Sequence, residues 1–446
     1  MRRNNSDIKG SALIVVMWVS LGLVALALLF GHSMMLEYRA AENLTAGKQS
    51  EQAIDGARRY IVNLLSNLDP PGYMPDEEEY PLDDLEIGDA RACVIGRSEN
   101  EDNPDDAVEF RLVDEASKLN LNTATQEMLL GLPEMTNELA AAIVDWRDED
   151  DEVTDNGAES DYYLAGSEGY YAKNARFESI DELRLLNGGD YDLLVGEDYN
   201  LNGVLDENEN DGDVSPPDDN ADGVLNPGIL EYVTVFSREW NVQDDGSERI
   251  NVKNGGNELQ EYLAGELGES RAQAIINATR TSARNVNSVL EYYLISGMTE
   301  DEFKSVHDGL TVSDETYTEG LVNVNTAPQS VLTCVPGIGE EYAGTLVAQR
   351  LTLDTEALHS IAWIASVLPR ENAIEAGPYL TTRSRQFRAD LAAVGKYGRG
   401  YRREAFVIDT AGDDAMVVYR KDLSRLGWAL GRDMRNDLLE EMTGEE

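Results

Sequence analysis

The sequence predicts an α+β protein in which an N-terminal membrane-crossing helix leads to a small antiparallel sheet, and a large helical domain interrupts that sheet. Three observations lead there. An uncharged run from Ser11 to Leu36 continues into an amphipathic helical pattern. Strand-like segments lie on both sides of the middle of the chain. That middle contains the same helical pattern twice. A chain of 446 residues with 42% apolar residues has material for two to four domains at roughly 100–200 residues each.

The first element is written in "IKGSALIVVMWVSLGLVALALLF", Ile8 to Phe30. About 20 helical residues cross a hydrocarbon core, so the run suffices. Arg2, Arg3 and Lys9 precede it and place the N-terminus on the cytoplasmic side. A secretory signal peptide is the competing reading, but the run exceeds a usual signal core and no A-x-A site follows. Ile54, Ala57, Ile61, Leu64 and Leu68 then mark one helical face, which Pro70-Pro71 ends.

A basic leader, Gly10, and "SALIVVMW" running into one long helix resemble a type IV prepilin-like protein. The resemblance implies a leader over 1–10, cut by prepilin peptidase between Gly10 and Ser11 with methylation of the new amine. It also implies a pilin helix over 11–70. Most such proteins carry glutamate at the fifth mature position, where this chain has Val15. A buried amine is costly unless a carboxylate pairs with it. A subunit with nothing above it has no amine to neutralise, so Val15 is the mark of a tip subunit. The minor pseudopilins of the protein K family, in type II secretion, typically lack this acid.

Two segments of the middle align without a gap: "LNLNTATQEMLLGLPEMTNELAAAIVDWR" (Leu119–Arg147) and "VNVNTAPQSVLTCVPGIGEEYAGTLVAQR" (Val322–Arg350). Each reads as a turn, a short helix, a tight connection and a longer helix, with Thr123 and Thr326 as expected N-caps. "FESIDELRLL" and "HSIAWIASVL" are expected to close the units as helices. The pattern resembles the helix-hairpin-helix module. Its DNA-binding forms offer backbone N–H groups to a phosphate, yet Glu340 and Glu341 follow the glycine turn of the second copy, and the first copy has no glycine there. Packing or protein contact is the expected role. The first hairpin runs into "DWRDEDDEVTDNGAESDYYL" (Asp145–Leu164), similar to what the protein K family has at that place.

Two loops have calcium-ligand spacing. "DYNLNGVLDENE" (Asp198–Glu209) fits D-x-[DN]-x-[DN]-G-x₅-E throughout, with ligands from Asp198, Asn200, Asn202, the Val204 carbonyl, Asp206 and a bidentate Glu209. "DDNADGVLNPGILE" repeats the first half with Asp218, Asn220, Asp222 and Val224, but Ile229 occupies the twelfth position. Asn226 and Glu231 are the candidate substitutes. The expected cofactor is structural calcium.

Composition narrows the function. There are 85 acidic and 36 basic residues, a formal charge of −49, which repels nucleic acid and attracts divalent cations. Cys93 and Cys334 form no metal or disulfide framework, and a bond between them is not expected. His32, His307 and His359 show no catalytic spacing, so no enzyme is predicted. Strands are expected over Ala90–Arg97, Ala107–Asp114, Phe387–Val394, Arg402–Asp409 and Ala415–Asp422. The sheet then occupies 71–117 and 382–446, around a helical insertion at 118–381. The resemblance implies a single-pass inner-membrane protein, mostly periplasmic, that initiates the pseudopilus at its tip and supports protein export. Its implied partners are other minor pseudopilins, the secretion channel and exported proteins. The rivals are a competence-type DNA receptor and a membrane-anchored calcium-dependent adhesin.

Overall fold

The computed structural model describes residues 7–97, 108–166, 169–212, 214–412 and 415–431. Helix α1 runs unbroken over Asp7–Ser66, about 90 Å at 1.5 Å per residue. No proline interrupts it, and it stops short of Leu68 and the Pro70-Pro71 pair. Its first half is exposed and apolar, long enough to cross a membrane. Its second half buries Ala53, Ile54, Ala57, Ile61 and Leu64 against a sheet.

That sheet comprises β1 (Leu85–Ile87), β2 (Ala90–Ile95), β3 (Val113–Asp114), β4 (Gln386–Gly395), β5 (Arg399–Asp409) and β6 (Met416–Asp422). The order is β1-β2-β4-β5-β6, with β3 also paired to β4, and all pairs are antiparallel. Alternation sorts the side chains by face. Ala92, Val94, Ala389, Leu391, Phe406 and Ile408 meet α1, while Cys93, Ile95 and Ala392 face the other way. The helix lies close to the β4–β5 connection. A Cβ at Gly400 (φ 71°) would stand 2.3 Å from the Gly47 nitrogen, and one at Gly395 would stand 2.4 Å from the Ala46 oxygen.

Of the expected strands, the four long ones are present. Val113–Asp114 alone is extended in the described part of the segment expected over Ala107–Asp114. Ala107 itself lies outside the described residues. The three-residue β1 was too short for a pattern.

The helical insertion leaves the sheet at Asp114 and returns beside it, because Asp114 pairs with Phe387. The buried Asp114 carboxylate fixes this junction by accepting from Asn323 Nδ2 (2.9 Å), Thr326 Oγ1 (2.7 Å), Ser384 Oγ (2.6 Å) and the Ala116 amide (2.9 Å). Burial pushes its acid up to about 6.

Within the insertion, three units are each closed by a two-residue parallel ladder: Leu119–Asn120 with Val233–Thr234, Ile250–Asn251 with Leu310–Thr311, and Val322–Asn323 with Leu380–Thr381. The middle one, with helices at Gly256–Leu267 and Glu269–Thr279, escaped the sequence comparison. All three share one turn, in which the ladder asparagine accepts from the amide two residues on: Asn120 from Asn122, Asn251 from Lys253, Asn323 from Asn325.

The outer units carry the aligned hairpins, α2 (Gln126–Leu130) with α3 (Asn137–Arg147), and α4 (Gln329–Thr333) with α5 (Gly339–Arg350). The shared arginines pin each hairpin to its turn. Arg147 donates to the carbonyls of Leu121 and Ala124, and Arg350 to those of Val324 (3.2 Å) and Ala327 (2.6 Å). The capping expectation needs correction. Thr125 caps α2, and Pro328 precedes α4, while Thr123 and Thr326 sit in the preceding turns. The closing helices are short 3₁₀ segments at Ile180–Leu185 and Ile361–Ser366.

The sheet's far face holds the insertion. Arg403, fully buried, pairs with Asp390 (2.9 and 2.7 Å) and donates to the carbonyls of Asn200 and Leu201. Arg238 binds Asp409 (2.7 Å) and Lys421 binds Asp181 (2.6 Å). Removing one partner of a buried pair strands the other charge, at a cost of about 3–5 kcal/mol. Arg403→Ala is therefore expected to lose that much in chemical denaturation of the detergent-solubilised chain. Adding Asp390→Ala should cost far less than its own single-variant loss. Additive losses would contradict the pairing.

Candidate functional site

Residues 1–6 of the expected leader lie outside the described residues, as does the side chain of Ser11; the backbone of Gly10 and Ser11 is part of α1. Val15 lies in the apolar half of α1, 60% exposed.

The loop Asp198–Glu209 is wound around its own carboxylates. Asp198 accepts from the amides of Asn202 (2.8 Å) and Gly203 (2.8 Å). Asn200 and Asn202 accept from the amides two residues on, at 2.9 Å each. Asp206 accepts from the side-chain amides of Asn200 (2.6 Å) and Asn202 (3.1 Å). Glu209 closes the ring by accepting from the amides of Tyr199 (3.2 Å) and Asp206 (3.1 Å). The turn needs left-handed backbone at Leu201 (φ 55°) and Gly203 (φ 75°), and glycine supplies it without strain. Val204, whose carbonyl was the expected seventh-position ligand, is buried.

Asp198 and Glu209 are each only 1% exposed. Burial, then the charge of Asp198, pushes the Glu209 acid up to about 8, and burial raises Asp198 as well. A cavity of about 490 Å³ opens on Asn200, Asp206 and Glu209, walled by Tyr199 and by Arg425 and Trp428 of the C-terminal segment. The donor set is oxygen, as calcium requires.

The second loop repeats this backbone twenty residues later, with φ 52° at Ala221 and 81° at Gly223. Asn220 and Asp222 accept from the amides of Asp222 (2.7 Å) and Val224 (2.8 Å), as their counterparts do. Asp218 is exposed, and Asp219 instead gathers amides, from Asp211 (3.0 Å), Gly212 (2.9 Å) and Ala221 (2.7 Å).

The two proposed substitutes for the twelfth position are engaged elsewhere. Glu231 pairs with Arg97 (2.9 Å) and Lys118 (3.6 Å), and these cations hold its acid down at about 2 against the cost of burial. Asn226 donates to Glu134 (3.1 Å) and accepts from the Gly228 amide (3.0 Å). The place of the missing glutamate falls to Glu197, which accepts from the amides of Asn220 (3.2 Å) and Asn226 (3.2 Å). Its counterpart Glu209 takes the equivalent Asp206 amide. Glu197 precedes the first loop in sequence, so a linear template passes over it.

The glycine turn before α5 faces inward. Gly337 (φ 81°) has no room for a Cβ, which would lie 2.5 Å from the Asn372 carbonyl, and its own carbonyl accepts from Asn372 Nδ2 (2.9 Å). Glu340 and Glu341 occupy the first turn of α5. Their charges oppose a phosphate at that helix end.

Residues 111–194 match the family model described as Type II secretion system (T2SS), protein K. A type II secretion system protein K of Klebsiella pneumoniae is 31% identical over 153 residues, 34% of this chain and 44% of that protein. One of Pectobacterium carotovorum subsp. carotovorum is 26% identical over 205 residues, 42% of this chain and 60% of that protein. The chain thus spans about half the length of the curated relatives it matches. Among solved structures, a chain of the GspK-GspI-GspJ complex of enterotoxigenic Escherichia coli is similar at a TM-score of 0.40 and 13% identity, over 87% of this chain and 98% of that one. The matched segment, from β3 through the first hairpin and its acidic loop, is thus similar to protein K of the type II secretion system.

Proposed function

We propose that the chain is the minor pseudopilin at the tip of a type II secretion pseudopilus, anchored in the inner membrane by α1 with its bulk in the periplasm. There it initiates fibre assembly with other minor pseudopilins and performs no chemistry of its own. The observation that carries this reading is Val15, the fifth residue after Gly10 and Ser11, on a helix whose far end is bound to a sheet. An unpaired carboxylate in a membrane interior is expensive, so a subunit that caps a bundle gains by omitting it. The insertion, hung on one face of the sheet, would face the secretion channel or exported proteins. The DNA-receptor reading fares worse, because its phosphate-binding turn is packed on Asn372 and flanked by two glutamates.

Co-purification of the full chain with its neighbouring minor pseudopilins tests the assignment, and Val15→Glu tests the capping role. Export and fibre initiation are expected to fall in that variant. Normal export would remove the tip reading, and salt-sensitive duplex binding in a filter assay would restore the DNA receptor.

The residues of Asp198–Glu209 fit calcium, and the role proposed for the ion is structural: it relieves the repulsion between buried Asp198 and Glu209. Ligand at 100-fold its Kd stabilises the folded state by about 2.7 kcal/mol. Calcium is expected to raise the melting temperature of the full chain and Glu209→Gln to diminish the rise; identical melting in calcium and in chelator would contradict the site.

In chelator the pH dependence has a defined sign. Glu209 titrates near 4.5 unfolded and at about 8 folded, so the folded state binds the extra proton across that window and stability falls as pH rises through it. Glu209→Gln should flatten part of that slope in melting curves between pH 5 and 8.

A further inference from the structure

The protein is acidic as a whole, with 85 acidic residues against 36 basic, yet one end of the sheet has the opposite sign. From Leu391 to Arg403, where β4 ends and β5 begins, the chain contains Lys396, Arg399, Arg402 and Arg403 and no acid. Arg403 is turned inward, onto Asp390. The other three are exposed around the turn Lys396–Gly398 that joins the strands. The acids beside Arg399 and Arg402 are Glu42, Glu51 and Asp422. Each is already engaged. Glu42 pairs with Arg399 (3.0 Å), Glu51 pairs with Lys48 (2.6 Å), and Asp422 accepts from the Ser424 amide (2.8 Å).

This basic turn is locked to α1 just outside the apolar run. Gly395 and Gly400 let the strands close on the helix backbone at Ala46 and Gly47, where a Cβ would collide. The Lys396 amide donates to Gln49 Oε1 (3.2 Å), and Arg399 is tied to Glu42. The uncharged run ends at Leu36. At 1.5 Å per residue, Glu42 and Ala46 lie about 9 and 15 Å beyond it along the helix. The run itself, from Ser11 to Leu36, measures about 39 Å, against a hydrocarbon core of about 30 Å. A span longer than the core accommodates by tilting, and its tilt is set by packing and by anchors at the interface. Attraction to charged headgroups decays over about 8 Å at physiological salt. The turn therefore gains little beside an upright helix and much beside one that leans toward the sheet.

We infer that Lys396, Arg399 and Arg402 bind the phosphates of anionic phospholipids in the leaflet beneath the sheet, and that this contact sets the direction in which α1 leans. The inference rests on the reading of α1 as a membrane span. The chemistry fits the residues. A guanidinium takes two phosphate oxygens in one fork, and an ammonium acts as a compact point charge. Arg399 donates to Glu42 through Nη1, and a guanidinium carries five donors, so the ion pair aims the group without exhausting it. Basic residues on this side of the span do not oppose the proposed topology, because the charge bias is read over short loops and large domains cross regardless. A fixed lean gives the anchored chain one orientation in the bilayer, and with it one face of the exposed apolar half of α1 for lateral packing.

The test reconstitutes the full chain in nanodiscs of phosphatidylcholine, with and without phosphatidylglycerol. Each disc carries two photoactivatable lipids, one reactive in the headgroup and one in the acyl chain, and adducts are mapped by mass spectrometry. Headgroup adducts on Lys396–Arg402 are expected to rise several-fold with phosphatidylglycerol and to fall at high salt. The double variant Lys396→Glu, Arg402→Glu should lose them, and Arg402→Gln, a milder surface change, should lose part. Equal labelling in both lipids, or unchanged labelling in the double variant, overturns the inference. Loss of the adducts on adding inorganic phosphate at constant ionic strength would assign the turn to a free anion and overturn it too. Acyl-chain adducts on Val15–Phe30 report on the anchor separately. With those present and none on the turn, this inference alone fails; without them, the membrane reading of α1 falls and takes this one with it.

Discussion

A buried arginine ties the two halves of this molecule together. Arg403 lies in the middle of β5 with no exposed surface, neutralised by Asp390 across the β4–β5 ladder. Its remaining donors go to the carbonyls of Asn200 and Leu201, at the tight turn of the first acidic loop. Arg97 reaches the same Leu201 carbonyl (2.8 Å) from the end of β2. A guanidinium offers five donors in a rigid fork, so it can satisfy a carboxylate and a loop at once. The sheet therefore grips the insertion through main-chain atoms of that acidic loop. Those are the atoms whose positions the loop's own carboxylates determine.

The insertion is built from one device used three times. A two-residue parallel ladder brings the ends of each unit together, and an asparagine turns the chain into the first helix. Ladders this short have little stability of their own. They persist because the helices between them bury one shared core from Leu119 to Leu380, with the middle unit forming its own around Phe303 and Tyr292. The outer units reinforce the closure with Arg147 and Arg350, each occupying carbonyls that the turn leaves unpaired. The glycine turn before α5 serves as packing, since it is occupied by Asn372.

Net charge and local charge act at different ranges. A surplus of 49 negative charges is spread over solvated loops and screened within about 8–10 Å. The consequential acids are the few that the fold buries. Glu231 is neutralised by Arg97 and Lys118, and Asp114 by hydroxyls and amides. Glu209 and Asp198 accept from backbone amides, and neither Glu159 oxygen has a partner of hydrogen-bond geometry. That gradation, from paired to unsatisfied, orders the buried carboxylates by what they cost the fold.

Local patterns were legible in the sequence. The uncharged run gave α1, alternation gave the long strands, and the gapless alignment gave both outer hairpins. The D-x-N-x-N-G template located the first loop, because the side chains that wind it follow one another within twelve residues. What failed to show was every feature assembled from distant parts. The middle unit shares only an asparagine turn and a ladder with its neighbours, too little for alignment. Glu231, placed on the second loop by spacing, is taken by an arginine 134 positions away. Glu197 comes before the loop it completes.

The sequence by itself determined where the long apolar helix lies, where the chain turns and which stretches are helical, since these depend on neighbours within a few residues. Only the tertiary structure decided which carboxylates are neutralised. Burial and pairing are properties of the closed sheet and packed units, and a carboxylate's energy depends on what surrounds it in space.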